Sequence, residues 1–126
     1  MSISQINVSS PAAEIVFTDT AMGATIDGIK ASSAKVFYLT VDNSLNVAAS
    51  YVKLYNLASG SVTVGTTVPD EVVYVPASAV ITQTYYTGSA PGKTFGTALS
   101  AACVTAGGTA GVTPPSSNVI VTVNYV

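Results

Sequence analysis

At 126 residues the chain has the length of one domain, enough for a proper core but not for two. Only 8% of it is charged, the net charge is −2, and arginine and histidine are both absent. Four scattered lysines cannot displace the counterions of a nucleic acid or hold a polybasic membrane contact. With no histidine and a single cysteine, zinc is excluded as well.

The mean hydropathy is nonetheless high, at +0.52. No run approaches the roughly 20 apolar residues a membrane helix needs, so the apolarity is spread along the chain. Either both faces of its sheets are covered, or much of its surface is buried against copies of itself or a partner. The second is the expectation, because so little charge is a solubility hazard for a free monomer. The N-terminus, MSISQINVSSPAAE, has neither a basic leader nor a continuous apolar core segment, so synthesis in the cytosol is expected. Cys103 sits in the mostly apolar run 99–104, where a buried, inert thiol is expected.

Taken in order, residues 1–13 read as an N-terminal arm or edge strand closed by Ser9-Ser10-Pro11, and residues 14–126 as the domain. Residues 14–20 (EIVFTDT) alternate as a strand; 22–29 form a weaker candidate cut by Gly23 and Gly28. In 35–41, Phe37, Leu39 and Val41 share one face, with Tyr38, Thr40 and Asp42 on the other. A polar connection beginning at Asp42-Asn43-Ser44 leads to 51–55, where Val52 and Leu54 oppose Tyr51, Lys53 and Tyr55. A Ser/Thr/Gly-rich loop, 58–69, in which Val62 and Val64 are candidates for a brief pairing, precedes a strand at 71–75 that Pro76 stops. Residues 79–86 alternate loosely, with Ile81, Gln83 and Tyr85 on one face. After the loop at 88–92, residues 94–104 carry Phe95, Leu99, Ala101 and Cys103 in phase, with a bulge or bend expected at Gly96. A Gly/Thr/Pro loop, 106–117, leads to the last strand, in which Val119, Val121, Val123 and Tyr125 face one way.

Eight or nine strands about ten residues apart, with no helical period, predict an all-β, antiparallel sandwich. A jelly roll is preferred to an immunoglobulin-like sandwich, whose Cys–Trp–Cys core cannot form without tryptophan. The carboxylates are scattered, and only Asp70 and Glu71 are adjacent, on opposite faces of a strand. No catalytic constellation follows from them and no enzyme is expected. Asp19, Asp27 and Asp42 read as solvated acidic turns in preference to a calcium site, so neither metal nor cofactor is expected. The tyrosines carry more information. Tyr51, Lys53 and Tyr55 form a strand face that is expected to be wet or to make a contact, because an unpaired lysine is rarely buried. Tyr85 and Tyr86 are further interface candidates, and a sugar-binding role for them is the competing expectation.

From YVKLYNLASGSVTVGTTVPDEVVYVPASAVITQTYY through GKTFGTALSAACVTAGGTAG to the terminal VIVTVNYV, the chain resembles small β-sandwich structural proteins of tailed bacteriophages. The Tyr51-Val52-Lys53-Leu54-Tyr55 strand and the Val64-Gly65-Thr66-Thr67-Val68-Pro69-Asp70 loop carry the likeness, which spans 35–126. The resemblance implies a virion building block, foremost a capsid decoration (cement) protein, made in the host cytoplasm. It implies contacts with copies of itself, as a trimer, and with the major capsid protein or another virion protein. The alternative is a tail, neck or fibre-associated sandwich with a carbohydrate-binding role.

Overall fold

The structure, a computed structural model, describes residues 14–87 and 90–126. The expected arm or edge strand at 1–13 lies outside the described residues. Alternation of apolar and polar side chains divides the remaining chain into strands whose apolar sides must face one another. One sheet runs β1 (Ile15–Asp19), β11 (Ile120–Tyr125), β3 (Ala34–Asp42) and β6 (Val80–Thr84), and β9 (Lys93–Phe95) continues β6 along the same edge of β3. The other runs β2 (Asp27–Lys30), β10 (Leu99–Val104), β4 (Ser50–Tyr55) and β5 (Glu71–Val75). All their pairings are antiparallel. A small hairpin, β7 (Tyr86–Thr87) with β8 (Ala90–Pro91), stands between β6 and β9.

This strand order is that of a jelly roll. Of the connections between strands of the two sheets, β4 to β5 and β6 to β9 stay within one sheet; the others cross the sandwich. The core lies between the sheets: Leu39, Val41, Val121, Val123 and Tyr125 from the first meet Val52, Leu54, Val73, Val75, Leu99, Ala101 and Cys103 from the second. Apart from Val73 and Val75, whose strand was assigned no inner face, these are the residues that alternation placed together, and Ile120 lies on the outer side of β11.

Three local readings change. Val36 pairs with Tyr125 but Tyr38 pairs with Asn124, so Phe37 is an extra residue in β3. Such a bulge reverses the alternation, placing Val36 in the core with Leu39 and Val41 while Phe37 is buried outside that cluster. The bend expected at Gly96 is a full break between β9 and β10. Val62 and Val64, the candidates for a brief pairing, lie outside any strand; a 3-10 turn at Ser59–Ser61 precedes a further turn, Thr66 N–H donating to the Thr63 carbonyl.

Candidate interaction surface

Residues 51–55 belong to β4, flanked by β10 and β5, so alternation sends Val52 and Leu54 inward and the other three outward. The outer face is not wet. Lys53 and Tyr55 are both 0% exposed and Tyr51 is half-buried. Over Lys53 and Tyr51 the cover is the segment 105–113, which folds back over the outer side of this sheet. Thr105 N–H donates to the Thr113 carbonyl at 2.9 Å, closing its base, and Gly111 N–H donates to Gly108 at 3.1 Å, turning its tip. The Lys53 ammonium donates to the carbonyls of Gly108 (2.6 Å) and Gly111 (3.2 Å). Gly107 lies so close to Tyr51 that a β-carbon there would stand 2.9 Å from its ring. The expectation of a wet or partner-facing Lys53 is therefore corrected: its own loop supplies the acceptors that make burial tolerable. Burial holds the ammonium below the usual lysine range.

Tyr55 and Tyr85 depart from the expected contact role in the same way. Both are buried, neither hydroxyl has a hydrogen-bond partner among the described residues, and desolvation pushes both phenols up. Tyr85 belongs to the core, its N–H donating to the Phe37 carbonyl across the sheet. The side chain of Tyr86 lies outside the described residues. Of the five candidates only Tyr51 reaches the described surface, and its ring leans on Tyr74 at 5.4 Å between centroids, tilted by 49°.

The end of the sandwich bearing the β3–β4 connection is organised by a polar cluster that alternation does not reveal. Asn43 is fully buried. Its amide nitrogen donates to the carbonyls of Ala48 (3.1 Å) and Pro76 (2.9 Å), while its oxygen accepts from Asn46 (2.9 Å) and Ser50 (2.8 Å). Asn46 reaches onward, donating to the Ser117 carbonyl and accepting from Ser117 N–H at 2.8 Å and from the Ser116 hydroxyl. Its own carbonyl accepts from Ser78 N–H at 2.8 Å. Three connections, 43–49, 76–79 and 114–119, are thus tied together by two asparagines.

Around this hub the loops present aliphatic side chains outward. Leu45 and Val47 flank buried Asn46 at 66% and 91% exposure, and Ile120 and Val80 lie opposite Asp42 on either side of β3. A second exposed group, Val68, Val72, Tyr74 and Val112, belongs to β5 and to the loops beside it. Sequence pattern offered no signal for either group, since an exposed aliphatic in a loop looks like any other.

The remaining titratable groups are placed singly or in pairs. Among the described residues no three of His, Cys, Asp and Glu gather where they could hold a metal ion. Asp42 caps its own turn through Ser44, and Asp19 accepts from Ala21 N–H. Asp27 is raised to about 7, first by burial and then by sharing a hydrogen bond with Asp19. Cys103 is buried and its thiol is pushed up to about 12 by desolvation, as suits an inert core residue. Lys93 pairs with Glu71 at 3.7 Å.

Comparison of the chain with protein-family models, with curated proteins and with solved structures gives no match.

Proposed function

We propose that this chain is a structural protein of a tailed-bacteriophage virion, a capsid decoration protein that adheres to the assembled head and to copies of itself. The observation that carries this reading is the set of exposed aliphatics held on pinned loops, above all Leu45 and Val47 on either side of buried Asn46. Presenting them in a fixed geometry lowers the entropy cost of burying them against a partner. In a chain with 8% charged residues they favour adhesion over free solution. The resemblance of 35–126 to phage structural sandwiches points the same way. So does the jelly roll, by analogy only, since that fold recurs in capsid proteins and in lectins alike. No chemistry is assigned to the protein, and its place is the virion, against the major capsid protein or a neighbouring virion protein. The carbohydrate alternative receives no support from Tyr85, whose buried ring offers no face to a sugar.

The test is co-sedimentation of the purified chain with phage heads stripped of accessory proteins. Saturable binding that Leu45→Ser with Val47→Ser abolishes is the expected result. A chain that stays in the supernatant, or that binds isolated tails in place of heads, overturns the decoration role.

A further inference from the structure

The two sides of the sandwich, where its edge strands lie, are dressed differently. On one side β1 and β2 carry Glu14, Asp19, Asp27 and Lys30 at or beside their ends, and β2 pairs with β10 through a register shift. Charges and irregular pairing of this kind blunt an edge against further strands. On the other side lie β5 (EVVYV) and β6 (VITQT). Their only charge is Glu71, and Lys93 neutralises it. Neither strand contains proline or lysine, and among the described residues no strand pairs with the outer edge of either.

The direction of the free backbone groups can be worked out. Along β3, Asn43 N–H donates to the Ala79 carbonyl and Tyr85 N–H to the Phe37 carbonyl, so odd-numbered residues of β6 face β3. Val80, Thr82 and Thr84 therefore turn their N–H and C=O groups outward, the Thr84 carbonyl there accepting from the Gln83 side chain at 3.2 Å. In the other sheet Cys103 N–H donates to Gly23, away from β4. Ala102 then faces its partner Lys53, and Val52 and Leu54 face Val73 and Glu71. That leaves the backbone of Val72 and Tyr74 directed outward. The same residues expose their side chains: Val80 is 57% and Tyr74 54% exposed.

We propose that a second copy of this chain adds to the β5–β6 side by antiparallel strand pairing across a two-fold axis. This rests on the reading of the chain as a self-adhering building block, not on which virion surface it lines, and it puts a closed pair in place of the trimer expected from the sequence. Both strands run between the same two ends of the sandwich, joined by 76–79 at one end and bridged by Lys93 and Glu71 at the other. Their midpoints, Val73 and Thr82, are thus level, and one axis can pass both. Pairing centred on Val73 sets Val72 against Tyr74 of the second copy and Glu71 against Val75, so no carboxylate meets its twin. Pairing centred on Thr82 brings Val80 against Thr84, with no charge at all. The contact is self-complementary, as a two-fold interface requires. It closes with two molecules and leaves the charged β1–β2 side free.

Sedimentation equilibrium of the full chain tests this, with far-UV circular dichroism to verify folding. The wild type should be a dimer. Val72→Lys with Thr82→Lys places a charge on each open edge and should raise the dissociation constant by about 100-fold or more. Val16→Lys with Thr18→Lys, on β1, should leave it unchanged. A monomeric wild type, a trimer, or a dimer broken only by the β1 pair overturns the proposal. Should the edge variants fail to fold, Thr82→Glu alone at low and high salt is the substitute, and a dimer stable in both is the contrary result. Head binding is read separately: a monomer that binds heads sinks the pairing but leaves the decoration role, and a dimer that does not bind heads does the reverse.

Discussion

Two of the polar sites buried among the described residues, the asparagine hub and Lys53, are satisfied in different ways. At the hub, Asn43 fills both donors and both acceptors of its amide, and Asn46 does nearly the same. Beneath the 105–113 loop, Lys53 carries a full charge, has two carbonyls as partners, and has no carboxylate of the described residues within ion-pair range. A satisfied neutral network in a low-dielectric interior is rigid, because breaking one bond orphans several groups. A lone ammonium against carbonyls still bears part of its desolvation cost, so its cover is held more loosely. The hub should therefore be the fixed end of the molecule and the loop over Lys53 its looser lid.

The sharpest way to break that contrast is Asn43→Ala. It strands the Asn46 amide, the Ser50 hydroxyl and two carbonyls at once, at about 1–3 kcal/mol for each group left unpaired and buried. A net loss of about 3–5 kcal/mol in chemical denaturation is expected, a large share of a small domain's stability. The same variant should release 76–79 and 114–119 to hydrogen exchange. A loss below about 1 kcal/mol would mean that water replaces the amide and that the hub is no anchor.

How much of this was open to a reader of the sequence differs between the faces of each strand. The inward residues of β4, β10 and β11 were legible because period two is local and can be phased without knowing the partner strand. The bulge at Phe37 was not, since an extra residue shows only against its partner strand β11. Lys53 was misplaced for a related reason. Its acceptors lie 55 and 58 residues away in a glycine-rich loop whose composition says it is a loop and nothing about where it lands. The asparagines stood beside a recognised turn, yet their partners at Pro76 and Ser117 are likewise non-local. The charged and uncharged sides of the sandwich became visible only once strand order said which strands are edges.

A smaller effect is expected from Gly65→Ala, which loosens the lid and leaves the hub alone. Gly65 has a φ of +97°, and a β-carbon there would collide with Val112 Cγ1. Backbone strain and displacement of exposed Val112 together should cost about 1–2 kcal/mol. Lys53 should then become reactive toward an amine acylating reagent in the native protein, where the wild type is protected. If Lys53 stays protected in the variant, the lid does not depend on its contact with the 57–70 loop.

The smallest change in stability and the most telling comes from Lys53→Met, which keeps the length and apolar stem of the side chain but removes its charge. Near neutral pH the loss of two charge-assisted hydrogen bonds and the relief of desolvation oppose each other, so a net change within about 1 kcal/mol is expected. The pH dependence separates the two. Because burial holds the folded-state pKa of Lys53 below its unfolded value, the unfolded chain binds the extra proton between those two values. The wild type should therefore gain stability relative to Lys53→Met as pH rises through that window toward the ordinary lysine range, and lose it again as pH falls. Tyr55 and Tyr85 titrate in the opposite sense in both proteins, so only the difference between the two profiles is informative. Parallel profiles would show that the ammonium is as well solvated beneath the loop as in water, and the distinction between hub and lid would then lose its electrostatic basis.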